Sequence, residues 1–200
     1  VTNLAGGDLY WTSDVDVATG LPIQILCMKY GTDGFEEYPS TLRAVDSFLT
    51  NYNLVPTPTT NPATLSSLLF GKNVLLIPEQ EQGSPTIWNN LGAVIRNFVN
   101  NGGSVIWCGA YSSQSTCMTN VGIFHGTFNS DAVQNQLTVI DPSHPLAQGV
   151  PATFNGPSST FTMNLTDPDK HTVVEDQGAD VVAYKNYGSG KAIFLAFDYY

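Results

Sequence analysis

Apolar positions in this chain fall into short continuous runs separated by stretches of helical period. Pro22-Ile23-Gln24-Ile25-Leu26-Cys27-Met28-Lys29-Tyr30 is mostly apolar and closes at Gly31, which predicts a buried strand. Asp33, Gly34, Glu36 and Glu37 form an acidic loop behind it. Pro39-Ser40 then opens a helix with Leu42, Val45, Phe48 and Leu49 on its apolar face. Leu54-Val55 begins a second strand that Pro56 and Pro58 are expected to cut short. Asn61-Pro62 starts a helical turn through Leu65, Leu68 and Leu69, and Asn73-Val74-Leu75-Leu76-Ile77-Pro78 reads as a buried strand. Ser84-Pro85 has the form of an N-cap followed by proline at the first helical position. The helix it opens carries Ile87, Leu91, Val94, Ile95, Phe98 and Val99 on one stripe and stops at Gly102-Gly103. Ser104-Val105-Ile106-Trp107-Cys108-Gly109 is the next strand.

Strand and helix therefore alternate through the first half of the chain, which predicts a three-layer α/β fold: a mostly parallel sheet with helices on both faces. The remainder is richer in strands. Gln136–Ile140 and Thr172–Glu175 read as strands, and Val181–Tyr187 with Lys191–Tyr199 as a closing β-hairpin over Gly188-Ser189-Gly190. Residues 1–20 show no periodic element and are expected to form an arm or short hairpin, leaving residues 21–200 as a single α/β domain.

Composition narrows the function classes. Apolar residues make up 42% of the 200, enough for a globular core, and no window approaches the length of a membrane-spanning helix. Seven Lys and Arg face 17 Asp and Glu, for a formal charge of −10, a surface that repels phosphate backbones and disfavours nucleic acid as a partner. Charged residues are only 12%, about half the usual ~25%. Asn, Thr, Ser, Gln and Gly supply the polarity instead, a balance expected of an extracellular or cell-surface protein. Val1-Thr2-Asn3-Leu4 lacks the basic stretch and apolar core of a secretion signal, so an exported protein would begin at a mature end or inside a longer chain.

The layout of strand, polar loop, helix, Gly-Gly, strand and Cys between Asn73 and Gly109 resembles the class I glutamine amidotransferase-like superfamily, of flavodoxin-like α/β architecture. The segment Asp141-Pro142-Ser143-His144-Pro145-Leu146-Ala147-Gln148-Gly149-Val150 is similar to one in its non-amidotransferase branches. So is the ending Gly188-Ser189-Gly190-Lys191-Ala192-Ile193-Phe194-Leu195. The resemblance implies the fold, and a nucleophilic Cys on a tight turn where Cys108 stands. Enzymes of the superfamily follow that Cys with Cys-x-Gly spacing and place a His after the last long strand. Here Gly109 follows Cys108 directly, and Phe197-Asp198-Tyr199 holds no His. The resemblance thus implies a catalytically inactive surface-protein branch, acting in binding or structure with copies of itself or other domains.

Three readings of Cys108 stay open: a disulfide with Cys117 across the polar loop Tyr111–Thr116, an inert buried thiol, or a nucleophile with Glu79 or His171 as partner. With three cysteines, at least one is free or pairs with another molecule, and Cys27 reads as a core thiol. In open α/β sheets ligands bind beyond the carboxyl ends of the strands. That rim would carry Asp33, Glu79, Gln80, Tyr111, Ser112 and Asp198, a set suited to a carbohydrate or to calcium, with no other cofactor implied. Asp14 and Asp16 have a spacing seen in calcium loops without the remaining ligands. His125, His144 and His171 lack partners at zinc-like spacing, and His144-Pro145 is expected to fix a loop. Tyr10, Trp11, Trp88, Trp107, Tyr199 and Tyr200 are the aromatics that would mark an interface if exposed.

Overall fold

A computed structural model of the chain describes residues 20–109, 114–131, 135–157 and 160–197. The expected N-terminal arm with Tyr10, Trp11, Asp14 and Asp16, together with Tyr111, Ser112, Asp198, Tyr199 and Tyr200, lies outside the described residues.

The sheet grows from its first strand, β1 (Ile23–Met28), which pairs in parallel with β2 (Tyr52–Thr57) on one side and β3 (Val74–Ile77) on the other. Then β4 (Ser104–Cys108) joins β3, and the last strand, β11 (Gly190–Leu195), joins β4, both in parallel. Pro56 does not end β2 as expected. The strand runs through it, because β2 is the sheet's edge and a missing N–H there can face the unpaired side.

Beyond β11 the sheet turns antiparallel. The hairpin of β10 (Ala179–Tyr187) and β11 forms over Gly188-Ser189, and β9 (His171–Asp176), β6 (Gln136–Val139) and β7 (Thr153–Asn155) follow outward. A further pair, β5 (Gly126–Asp131) and β8 (Phe161–Leu165), attaches through β8 to β10. The sheet of 11 strands is therefore mixed, and the mostly parallel arrangement holds for its first five positions only. Tight turns such as Gln177-Gly178 can join only antiparallel neighbours, whereas the parallel strands need helical crossovers.

The helices cover both faces. The chain moves outward from β1 to β2 and then back across β1 to β3. Right-handed crossovers therefore put α1 (Glu37–Phe48) on one face and α2 (Pro62–Leu69) on the other. Helix α3 (Pro85–Asn100) packs beside α2 and against α4 (Thr116–Val121) on that second face. Trp88 of α3 and Trp107 of β4 meet edge to face at 4.6 Å, both fully buried, so these two aromatics belong to the core and not to an interface.

Buried charge ties the antiparallel half together. Asp180 accepts hydrogen bonds from the Leu165 N–H (3.0 Å), from Lys170 (2.7 Å) and from the Thr172 hydroxyl. Asp167 accepts from the His125 amide (2.7 Å) and Lys185 (2.9 Å), and its carboxylate faces His125 Nδ1 at 2.8 Å. These bonds hold the Asp167 carboxyl below its usual range against the burial that opposes them.

The hairpin reaches the helical layer at Gly190, whose Cα lies against the carbonyls of Val99 and Gly103 at the end of α3. A β-carbon there would overlap backbone atoms, so Gly190→Ala is expected to cost about 3 kcal/mol, seen as a lower urea midpoint at unchanged slope.

Candidate functional site

The loops beyond the carboxyl ends of β1 and β3 are drawn together by backbone and amide bonds. Gly31 has φ of 80°, a left-handed conformation, and its carbonyl accepts the N–H groups of both Glu81 and Gln82 at 2.9 Å. Gln80 is fully buried beneath this junction. Its Nε2 donates to the carbonyls of Tyr30 (3.2 Å) and Pro78 (3.1 Å), and its Oε1 accepts the Trp88 indole N–H (2.9 Å). Tyr30 in turn accepts the Ser84 N–H on its hydroxyl at 3.0 Å, at the start of α3. Gln80 is thus a bracket between two loops and a helix, with its donors and acceptors turned inward and none toward the rim where sequence placed it.

On top of this junction stand Asp33, Glu37 and Glu81. Each offers a carboxylate oxygen, and the three oxygens lie within 4.8 Å of one another. Asp33 accepts the Phe35 N–H on Oδ1 (2.5 Å), a local turn, and its carbonyl accepts the Tyr38 N–H (3.2 Å) as α1 begins. Glu37 occupies the first turn of α1, is 1% exposed, and holds one carboxylate oxygen, Oε2, buried without a hydrogen-bond partner. Burial is the main force pushing its pKa up. Its own backbone amide opposes, and the charges of Glu81 and Asp33 push further in the same direction.

Like charges about 5 Å apart repel by roughly 3 kcal/mol at an effective dielectric near 20, and less where water screens them. The cluster lowers that repulsion either by Glu37 taking up a proton or by a cation sitting among the three. The donors are all hard oxygens, which suit calcium or magnesium and not a thiophilic metal. Sequence had named Asp33 for this rim. It missed Glu37 because the helix was expected to start at Pro39, whereas α1 begins at Glu37. With that start, Asp33 and Glu37 are spaced four apart at a helix entrance, the signal that could have found the pair.

Cys108 ends β4 fully buried. Burial chiefly, then the charges of Cys27 and Glu79, lifts its thiol far above the ordinary range, the opposite of the shift that activates a nucleophile. Glu79, also buried, raises this pKa instead of activating the thiol. His171 is on β9, three strand spacings from β4 and two residues along, which puts its Cα about 16 Å from that of Cys108. The suggested Cys108–His171 pairing therefore does not form. The rings of His144 and His171 instead stack on Tyr184 at 4.2 Å and 4.9 Å, and His144 Nδ1 accepts the Leu146 N–H at 3.2 Å.

The expected Cys108–Cys117 bridge is absent, and all three thiols are free and buried. Strand parity explains why. Trp107 faces α3, so Cys108 beside it points to the opposite face of the sheet. Cys117 sits in α4 on the α3 side, where its thiol donates to the Gly83 carbonyl at 3.5 Å. Burial pushes the thiols of Cys27 and Cys117 up to about 12.

A cleft of about 1280 Å³ lies at the other end of the sheet, among Leu21, Phe70, Phe98 and the amino ends of the parallel strands. It is a broad concavity of mixed apolar and polar lining, remote from the acidic cluster.

No protein-family model and no curated protein matches the chain. Solved structures do match it. A Bacteroides uniformis protein described as ThuA-like superposes with a TM-score of 0.62 and 14% identity, over 89% of this chain and 83% of that one. A cytoplasmic protein of Salmonella typhimurium gives 0.61 and 11%, over 88% and 87%. A Thermoplasma acidophilum protein described as part of a GMP synthase gives 0.58 and 10%, over 88% and 83%. At these identities the likeness is one of fold: the chain shares the α/β architecture of these structures.

Two outcomes follow from this geometry. A thiol reagent such as DTNB at neutral pH is expected to leave Cys27, Cys108 and Cys117 unmodified in the native chain and to titrate all three on unfolding. For Glu37, a raised folded-state pKa means that its contribution to stability is complete below the unfolded value of 4.5 and is lost as pH rises through the folded value. In chelator, Glu37→Gln should therefore gain on the wild type as pH is raised from 4.5 to 7. Denaturant midpoints that keep a constant gap across that range would contradict this.

Proposed function

We propose that this chain is a non-catalytic binding domain that holds a divalent cation, calcium, between Asp33, Glu37 and Glu81. The observation that carries the reading is the buried, unpartnered Oε2 of Glu37 within a cluster of three carboxylates. A bound ion would supply the counter-charge this oxygen lacks and would join the β1 and β3 loops to the start of α1. Calcium is favoured over magnesium because the three carboxylates come from two loops and a helix turn, a flexible set that calcium's irregular shell tolerates. Phe35, 93% exposed, flanks the cluster, so the loaded site would present an apolar contact beside a fixed charge to another domain or a second copy of the chain.

The same reading assigns the chain to an inactive branch of the superfamily, supported by the burial of Cys108, which pushes its thiol pKa up, and by the distance to His171. An extracellular or cell-surface setting rests on composition: few charges, many uncharged polar residues and a net charge of −10. No observation favours the alternative of a Cys108-dependent hydrolase or transferase.

Thermal denaturation with calcium and with EDTA tests the proposal. At calcium about 100-fold above its Kd, the gain of about 2.7 kcal/mol corresponds to a Tm rise of roughly 5–10 °C for a chain of this size. Magnesium is expected to give a smaller shift, and Glu37→Gln to abolish it. An identical Tm in calcium and EDTA, or a shift that survives both Glu37→Gln and Asp33→Asn, would sink the reading.

A further inference from the structure

The antiparallel half of the sheet holds a second concavity, about 360 Å³, lined chiefly by Asn129, Ser130, Asn135, Asn164, Asp176 and Gln177. Among its lining residues is Asp176, the last residue of β9, which is 4% exposed. Oδ2 of this carboxylate accepts from Asn135 Nδ2 at 2.9 Å, while Oδ1 is buried with no hydrogen-bond partner. A buried acceptor left unpaired is costly, and natural structures keep few of them. The turn that follows puts Gln177 at φ of 51°, the one non-glycine residue with positive φ among the described residues. Positive φ there is what a two-residue hairpin turn requires, and it closes β9 onto β10 at the edge of the pocket.

The rim is built of amides that orient one another. Asn164 Nδ2 donates to Asn129 Oδ1 at 3.2 Å, and Asn129 Nδ2 donates to the hydroxyls of Ser130 and Thr162, each at 3.2 Å. This lining selects against several ligand classes. One carboxylate is too little charge for a calcium site of ordinary strength, since such sites draw on several. Among the described residues no aromatic ring lines the pocket, so a flat apolar ligand gains nothing from them. An anion would meet Asp176 on a chain of net charge −10. A hydroxyl group is donor and acceptor in one atom. It can satisfy the acceptor-only Oδ1 of Asp176 and, through its neighbours on the same ligand, both ends of the side-chain amides.

We propose that this pocket binds a neutral polyhydroxylated ligand, a saccharide, with one sugar hydroxyl donating to Asp176 Oδ1 and adjacent hydroxyls held by Asn129, Asn135 and Asn164. The site is made of other strands than the Asp33, Glu37 and Glu81 cluster and stands or falls independently of it.

The test is NMR of the ¹⁵N-labelled full chain in EDTA, following the side-chain amide resonances of Asn129, Asn135 and Asn164. D-glucose, D-galactose and D-mannose are each titrated to about 100 mM, a range that covers the millimolar Kd expected of so small and polar a ligand. The expected result is saturable movement of these resonances with at least one hexose, weakened about tenfold or more in Asp176→Asn. The exposed rim variants Asn164→Ala and Asn129→Ala should weaken binding as well while leaving the backbone spectrum intact, which separates loss of the site from loss of the fold. The proposal is overturned if no hexose moves the resonances, if binding persists unchanged in both rim variants, or if calcium chloride alone moves them and the hexoses do not.

Discussion

The buried side-chain amide of Gln80 is the contact on which the carboxyl end of the parallel sheet depends. It joins the Tyr30 and Pro78 carbonyls to the Trp88 indole and so fixes the β1 loop, the β3 loop and α3 against one another. Gly31 completes the junction, because a side chain there would collide with Gln80 and with the Gly83 backbone. Only with the two loops in that register do Asp33 and Glu37 from one side meet Glu81 from the other. A neutral amide can be buried at low cost when every donor and acceptor is used, and it then fixes the loops that carry the carboxylates above it.

Buried charge is handled in two ways in this molecule. In the antiparallel half, Asp167 and Asp180 are buried with lysines and backbone N–H groups in contact, so their negative charge is compensated within the chain. At the carboxyl end of the parallel half, Glu37 is buried as deeply, yet keeps an oxygen without a partner beside two further carboxylates. The first arrangement serves the fold. The second imposes a cost on the fold, and such costs concentrate where a ligand is bound.

Much of the parallel half was legible in the sequence, because buried parallel strands are continuous apolar runs and α3 has a strong stripe. The rest was obscured for definite reasons. Helix α4 is six residues long, too short to show a period, and β5 is largely polar. β8 alternates Phe161, Met163 and Leu165 with Thr162 and Asn164, a period-two signal that a search for apolar runs passes over. Sequence placed both Asp33 and Gln80 on this rim; the structure sets Asp33 beside Glu37 and Glu81 and turns the Gln80 amide inward. An amide at a loop end looks the same in sequence whether it turns outward to a ligand or inward to a tryptophan. The cysteine pair failed for a related reason: spacing of nine residues permits a bridge, and only strand parity shows that the sheet lies between the two thiols.

The central claim is that the Glu37 carboxyl is held in a state that a cation relieves, and its own side-chain carbon reports this most directly. In a chain labelled with ¹³C at the glutamate carboxyls, the Glu37 resonance followed against pH in chelator should titrate above the ordinary carboxylate range. Added calcium should then drive it to the deprotonated position at a pH where it had been protonated. A normal titration in chelator with no response to calcium would contradict the account.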